Sequence, residues 1–118
     1  MIDLSHYKNI HCIGIGGIGL SAIAEILLSR GYNVTGSDMK ESDMTANLAG
    51  KGARIFIGHR AENVADADLI VYSAAVGRDN PELKEAEEKR PRHHWNMRDM
   101  PAYTGGAVRN WDTSRPVL

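Results

Sequence analysis

One short stretch near the N-terminus limits the possible folds more than any other part of the chain. Residues 9–15, "NIHCIGI", form an apolar, β-rich run that is typical of a buried strand in a parallel sheet. Glycines follow at positions 14, 16, 17 and 19. Gly31 then ends a segment in which apolar residues recur with helical spacing, at Leu20, Ile23, Ala24, Leu27 and Leu28. The stretch predicts a strand, a glycine turn and a helix.

The same alternation continues along the chain. Residues 32–38, 53–59 and 67–76 have the composition of strands, and a turn or short helix is expected at 61–65. Ser42 is placed to cap a helix that ends near Gly52. Asn80 and Pro81 open another helix, with a capping amide followed by a proline at the first position. Strands that alternate with helices predict an α/β domain with a Rossmann-like parallel sheet and flanking helices.

The sequence changes character near Arg90. Residues 91–118 hold both tryptophans and three of the four prolines, and they show neither helical nor strand periodicity. We therefore expect a domain of residues 1–90, whose sheet is incomplete at its C-terminal end and lacks a fifth strand. Residues 91–118 form a tail to which no secondary structure is assigned.

Composition excludes several classes of partner. The 14 Lys and Arg residues nearly balance the 15 Asp and Glu residues, so there is no electrostatic case for a nucleic-acid or membrane-surface partner. Cys12 is the only cysteine, which excludes an internal disulfide and metal sites built on paired thiols. No signal peptide and no apolar run of membrane-spanning length occurs. We expect a cytoplasmic protein without a metal site.

The spacing Gly14-x-Gly16-x-x-Gly19 is typical of a loop that binds phosphate at the N-terminus of a helix. Asp38, at the end of the second predicted strand, is placed to accept hydrogen bonds from ribose hydroxyls. The alternatives are a tight strand-to-helix corner for the glycines and a plain turn for "GSD". The spacing alone fits an NAD(P)- or adenine-nucleotide-binding domain of a dehydrogenase or transport regulator equally well.

Several motifs, taken in order, carry a resemblance to a known family. "IHCIGIGGIGLSAIAEILLSRGYNVTGSDMKES", "GARIFIGHRAENV", "ADLIVYSAAV" and "DNPEL" together resemble the N-terminal domain of the UDP-N-acetylmuramate:L-alanine ligases, Mur ligases of peptidoglycan synthesis, over about residues 1–90. The resemblance implies a domain that binds the UDP-sugar UDP-N-acetylmuramate instead of a dinucleotide. It places four loop residues at the diphosphate, namely Gly16, Gly17, Ile18 and Gly19. Ser37 and Asp38 would lie near the uridine. His59 and Ser73 would lie at the carboxyl edge of the sheet.

Each of these positions has a simpler alternative. His59 could be an exposed residue at the end of a strand, and Ser73 could bond to local backbone. Asn80 is expected to act as a helix cap. His11 and Cys12, inside the first strand, are expected to be core residues. The acidic residues of the last helix are expected on a solvated face, namely Glu82, Glu85, Glu87 and Glu88.

The resemblance also implies chemistry that this sequence does not contain. The family uses ATP and magnesium to phosphorylate the muramate carboxylate, which the amine of L-alanine then attacks. No Gly-x-x-x-x-Gly-Lys-[Ser/Thr] phosphate loop occurs in the 118 residues. We expect a substrate-binding fragment that has no cofactor of its own and is inactive in ligation, and a domain that binds nothing stays an alternative.

The loss of the family pattern near Arg90 has two interpretations. A shifted reading frame would make residues 91–118 an out-of-frame translation, whereas the alternative is a genuine divergent tail. A sheet without its fifth strand would expose an edge. We therefore also expect that the chain can form a homodimer through that edge.

Overall fold

The computed structural model describes residues 7–89 and 93–97, which form a single parallel sheet with helices on both faces. The five strands are β1 (Asn9–Ile13), β2 (Asn33–Asp38), β3 (Arg54–Ile57), β4 (Leu69–Tyr72) and β5 (His94–Asn96). The helices are α1 (Ile18–Ser29), α2 (Asp43–Gly50) and α3 (Pro81–Lys89), and a short 3₁₀ helix covers Ala61–Val64. The predicted α/β class with a Rossmann-like parallel sheet is confirmed.

The strand order is β3-β2-β1-β4-β5, and every neighbouring pair is parallel. The chain moves outward from β1 through β2 to β3, and then returns to the other side of β1 to form β4. The connections that leave the carboxyl ends of β1 and β4 therefore diverge. Open parallel sheets bind ligands in the crevice that such a divergence creates.

Two apolar cores lie on opposite faces of the sheet. Side chains that alternate along β1 supply both of them, with Ile10 and Cys12 in one and Ile13 in the other. The larger core packs α1 and α2 against the sheet through Leu20, Ile23, Leu27 and Leu48. The smaller core holds α3 and the 3₁₀ helix through Val64, Ile70, Leu83 and Ala86.

The first strand is buried from Ile10 to Ile13, as its composition predicted. His11 and Cys12 are both 0% exposed, so the expectation that they are core residues is confirmed. Burial raises the pKa of the Cys12 thiol to about 12, which leaves it protonated and unreactive at neutral pH.

The helix ends follow the predicted chemistry. Ser42 accepts a hydrogen bond from the Thr45 amide at 3.2 Å, and the Thr45 hydroxyl accepts one from the Ser42 amide at 2.8 Å, which completes a capping box. Gly31 follows α1 with a φ of 91°, the left-handed conformation expected for a helix C-terminus. Asn80 Oδ1 accepts from the amides of Glu82 and Leu83, so the predicted cap of α3 is confirmed.

None of the helices among the described residues has the length and apolar character needed to cross a membrane.

The expectation of a missing fifth strand was wrong. Residues 94–96 pair in parallel with β4, and the Ile70 amide donates to the carbonyl of His93 at 2.8 Å. Trp95 packs against the larger core. A strand of three residues is too short to show periodicity, and its composition, "HWN", carries no aliphatic residue. The other four strands occur along the chain where they were predicted, but each is shorter than expected.

A close approach between β2 and the glycine loop that follows β1 requires glycine at position 36. A Cβ atom at Gly36 would lie 2.6 Å from Ile15 Cβ, closer than carbon atoms can pack. Gly50, at the end of α2, has no atom within 4 Å of the equivalent position. The two positions therefore make a matched pair for substitution by alanine.

We expect Gly36→Ala to lower the free energy of unfolding by about 1–3 kcal/mol, because the added methyl group overpacks a closed site. Gly50→Ala should leave stability unchanged or slightly higher, since alanine favours helix. Urea unfolding followed by circular dichroism measures both. Equal stabilities for the two variants would contradict the packing argument.

Candidate functional site

A cleft of about 800 Å³ lies at the carboxyl edge of the sheet. It is lined by residues that follow four strands: Gly14, Gly16 and Gly17 after β1, Asp38 and Met39 around the end of β2, His59 after β3, and Ser73, Ala75, Val76 and Gly77 after β4. Asp79, Asn80 and Pro81, at the start of α3, complete its wall. The cleft is therefore in the crevice that the strand order creates.

The glycine loop is anchored to β2 by its backbone. Gly14 has a φ of 81°, which permits the sharp turn out of β1. The amides of Gly14 and Ile15 both donate to the carbonyl of Ser37, at 2.8 and 3.0 Å. The Gly17 amide donates back to the Gly14 carbonyl at 3.0 Å, which closes the loop.

Helix α1 begins directly after this loop, with its N-terminus at the cleft. Gly17 occupies the N-cap position, where no side chain caps the helix. The first helical hydrogen bond is donated by the Ser21 amide to the Gly17 carbonyl at 2.8 Å. The amides of Ile18 and Gly19 precede that bond, and they carry the partial positive charge of the helix end. Such an end can bind an anion.

Asp38 holds the loop in place as well as lining the cleft. Its Oδ2 accepts a hydrogen bond from the Gly16 amide at 2.8 Å, and its Oδ1 accepts one from the Met39 amide at 2.8 Å. A Cβ atom at Gly16 would lie 2.7 Å from Asp38 Oδ2. The second glycine of the motif is therefore required for contact with this carboxylate.

A fully buried carboxylate lies behind the cleft. Glu82, in the first turn of α3, is 0% exposed. Its Oε1 accepts hydrogen bonds from His11 Nε2 and Ser37 Oγ, both at 2.6 Å. Its Oε2 accepts from the Arg60 amide at 3.0 Å and from Asn63 Nδ2 at 2.9 Å. The carboxylate is thus surrounded by donors from β1, from β2 and from the segment after β3.

His59 joins this buried group to the cleft. Its Nδ1 lies 2.8 Å from Ser37 Oγ and 3.4 Å from Glu82 Oε2, and its side chain is 14% exposed. On the far side of Glu82, Nδ1 of His11 lies 2.7 Å from Thr35 Oγ1. The polar cluster of Thr35, His11, Glu82, Ser37 and His59 therefore runs from the interior of the sheet to the wall of the cleft; we call it the Glu82 cluster.

Burial and hydrogen bonding act in opposite directions on Glu82. Burial alone raises the pKa of its carboxyl, but hydrogen bonds from His11, Ser37 and Asn63, together with the charge of His11, lower it to about 2, against an ordinary 4.5. Glu82 is therefore a carboxylate at every physiological pH.

The structure brings most of the predicted site residues to one cleft. Gly16, Gly17, Asp38, His59 and Ser73 line it. Ser73 Oγ also accepts from the Ala75 amide at 3.3 Å, which is the local backbone bond expected as its simpler role, and a ligand contact of Ser73 stays a prediction. Ile18 and Gly19 lie in the first turn of α1, at the end of the same loop. Ser37 is fully buried; its hydroxyl contacts His59, and its carbonyl accepts from the glycine loop, so it supports two parts of the cleft wall.

The prediction for Glu82 was wrong. It was expected on a solvated helix face with three other glutamates, but only Glu82 among them is fully buried. The spacing of charged residues along a helix does not distinguish a first-turn residue that faces the sheet from one that faces solvent. The available signal was the histidine in β1, because a buried histidine needs a polar partner.

Together, the parallel sheet, the glycine loop at the start of α1 and the cleft at the strand switch define a nucleotide-binding type of α/β domain. The sequence model described as "Mur ligase family, catalytic domain" matches residues 9–96, which is most of the chain. The chain belongs to the Mur ligase family.

Individual relatives agree with this assignment. The chain is 60% identical over 87 residues to a UDP-N-acetylmuramate--L-alanine ligase of Alkaliphilus metalliredigens, covering 74% of this chain and 19% of that protein. It is 60% identical over 82 residues to the protein of the same name from Clostridium botulinum, covering 70% and 18%. The crystal structure of UDP-N-acetylmuramate-alanine ligase from Thermotoga maritima superposes with a TM-score of 0.69 at 43% identity, covering 77% of this chain and 20% of that one. The chain spans about a fifth of the length of the curated relatives it matches.

The family match ends beyond the boundary expected at Arg90. It reaches residue 96 and includes β5. Residues 98–118 lie outside the described part of the chain. A tail that arose by a frameshift stays a prediction, which sequencing of the gene tests: a single-base change that restores a longer ligase-like reading frame is the expected result.

The low pKa of Glu82 predicts a specific acid dependence of stability. Since the folded-state pKa of about 2 lies below the ordinary 4.5, the carboxylate contributes its full stability above pH 4.5 and loses it as the pH falls toward 2. We expect wild type to exceed Glu82→Gln by a few kcal/mol in free energy of unfolding at neutral pH. That difference should vanish near the low end of this range.

Urea unfolding at a series of pH values measures the difference, with Glu88→Gln as the control. Glu88 lies on the same helix but is exposed, so its variant should track wild type at every pH. A difference between wild type and Glu82→Gln that does not change with pH would contradict the assignment.

Proposed function

We propose that this chain is the substrate-binding part of a UDP-N-acetylmuramate:L-alanine ligase, and that it binds UDP-N-acetylmuramate in the cleft at the carboxyl edge of the sheet. The observation that carries the proposal is the N-terminus of α1, which opens at that cleft directly after a glycine loop. The names of the relatives supply the substrate class. The cleft volume of about 800 Å³ suits a ligand of that size.

The contacts within the loop indicate where the diphosphate would bind. The amides of Gly16 and Gly17 already donate to Asp38 and Gly14. We therefore assign the phosphate contacts to the amides of Ile18 and Gly19, with Gly16 and Gly17 shaping the loop beneath them. This retains the four loop residues of the predicted site but divides them into two that bind and two that shape.

The remaining predicted residues would surround the uridine and the sugar. Asp38 and His59 line the wall formed by the segments after β2 and β3, and Ser73 lies across the cleft after β4. Ser37 would act from behind His59. Carboxylate, imidazole and hydroxyl groups are suited to ligand hydroxyls and ring nitrogens.

We infer that ligation itself takes place only in a longer protein. In the proposed reaction, ATP with Mg²⁺ would supply the phosphoryl group that activates the muramate carboxylate, and the amine of L-alanine would then displace it as phosphate. The 118 residues contain no phosphate loop of the Gly-Lys-[Ser/Thr] type, and we assign no step involving ATP to them. Cytoplasmic location and homodimer formation stay predictions. Strands β3 and β5 are the two edges of the described sheet through which a second copy could pair.

Isothermal titration calorimetry against UDP-N-acetylmuramate, with NADH as a parallel titrant, tests the proposal. We expect heat with the UDP-sugar and none with NADH. Heat with NADH alone would support the dinucleotide alternative. No heat of binding with either titrant would support a domain that has lost its ligand.

A loop variant tests the location of the site. Gly16→Val should abolish binding of UDP-N-acetylmuramate, because its side chain would displace Asp38 and distort the loop below the helix end. Gly50→Val is the matched control, since position 50 is on α2 with no atom within 4 Å. The control should bind as wild type does. Binding by Gly16→Val at wild-type affinity would show that the ligand binds elsewhere.

A further inference from the structure

The Glu82 cluster has a property that follows from counting hydrogen-bond donors. Four hydrogen bonds are donated to the Glu82 carboxylate, two to each oxygen, while His59 Nδ1 lies farther away, 3.4 Å from Oε2. A carboxylate has about four acceptor positions and no proton to donate. The four hydrogen bonds therefore use all of its acceptor positions. Each partner must therefore supply a hydrogen.

This count fixes the proton on His59. The Ser37 hydroxyl has one hydrogen, and it is donated to Glu82 Oε1 at 2.6 Å. Toward His59, 2.8 Å away, Ser37 Oγ can only accept. His59 Nδ1 must then carry a hydrogen. In the neutral ring this leaves Nε2 without one, as a hydrogen-bond acceptor.

We propose that Glu82 is a positioning residue for the ligand site: acting through Ser37, it holds His59 in the Nδ1–H tautomer, so that Nε2 is presented to the cleft as an acceptor. The group it would recognise is a hydrogen-bond donor of the ligand, either the imide N–H of uracil or a hydroxyl of the sugar. This role rests on the proposed function, although the tautomer does not.

The Glu82→Gln variant should reverse this arrangement without removing it. The Arg60 amide can only donate, and both hydrogens of Asn63 Nδ2 are used, on Glu82 Oε2 and on the Gly58 carbonyl. The oxygen of a glutamine at position 82 must therefore face these two donors, and its NH₂ group must face His11 and Ser37. Both of these partners can change from donor to acceptor.

The reversal passes along the cluster to the cleft. Ser37 would accept from the glutamine NH₂ and donate to His59 Nδ1. His59 would then carry its hydrogen on Nε2 and present a donor where wild type presents an acceptor. Glu88→Gln removes the same charge from an exposed position on α3 and leaves the cluster intact.

Long-range ¹H–¹⁵N correlation spectra of the imidazole rings measure the tautomer directly, in the full 118-residue chain without ligand. They should be recorded at a series of pH values, and the tautomer is read where the ¹⁵N shifts themselves show a neutral ring. His59→Gln assigns the signals. We expect the Nδ1–H form in wild type and Glu88→Gln, and the Nε2–H form in Glu82→Gln.

Calorimetry then tests the consequence for the ligand. We expect Glu82→Gln to weaken binding of UDP-N-acetylmuramate about tenfold, because a donor would face a donor, and Glu88→Gln to bind as wild type does. Titration with UDP, CDP and the UDP-sugar distinguishes the two sources of the ligand donor. A loss seen with UDP but not with CDP identifies the uracil imide, and a loss confined to the UDP-sugar identifies a sugar hydroxyl.

Each result bears on a defined part of the proposal. The Nε2–H form in wild type would overturn it, whatever the stability of the variants. A reversed tautomer with unchanged affinity would also overturn the positioning role while leaving the proposed function in place. If wild type binds no UDP-sugar, the proposed function and the positioning role both fail, and only the fixed tautomer is supported by the spectra.

Discussion

The geometry of the site depends on the hydrogen bonds that the buried Glu82 carboxylate accepts. This carboxylate connects the first turn of α3 to β1 through His11, to β2 through Ser37, and to the segment after β3 through Arg60 and Asn63. Removing a charge from water is costly unless donors replace the lost solvent, and here four donors do so. Because those donors belong to different elements, the carboxylate is stable in the interior only when the elements are in their native positions.

The glycine loop is held by a second, smaller set of contacts. The Ser37 carbonyl accepts hydrogen bonds from two amides of the loop, and the Asp38 side chain accepts one from a third. The loop is therefore held in shape by contacts within the protein itself. This arrangement lowers the entropy cost of binding an anion at the helix end, since the backbone amides do not have to be ordered on binding.

Much of the fold could be predicted because local signals were strong and agreed. The buried β1, the amphipathic α1 and the caps at Ser42 and Asn80 each depend on a few neighbouring residues, and the structure confirms them. The gathering of Asp38, His59 and Ser73 at one edge follows from the parallel class, because the carboxyl ends of parallel strands meet at the same edge of the sheet.

The errors occurred where distant residues decide the outcome. The burial of Glu82 depends on donors from three other parts of the chain, which no local pattern on α3 reports. Strand β5 forms because β4 offers an open edge to pair with, and its three residues have too little periodicity to be recognised. The double role of Asp38, on the loop and in the cleft, likewise appears only when β1 and β2 are placed side by side.

The two faces of the sheet are stabilised in different ways. The face covered by α1 and α2 has the larger apolar core, whereas the face covered by α3 combines a small core with the Glu82 cluster. Apolar contacts tolerate exchange among side chains of similar volume, but a saturated set of hydrogen bonds tolerates almost none. Sequence divergence should therefore accumulate on the first face, while the second changes only through coordinated replacements at several positions.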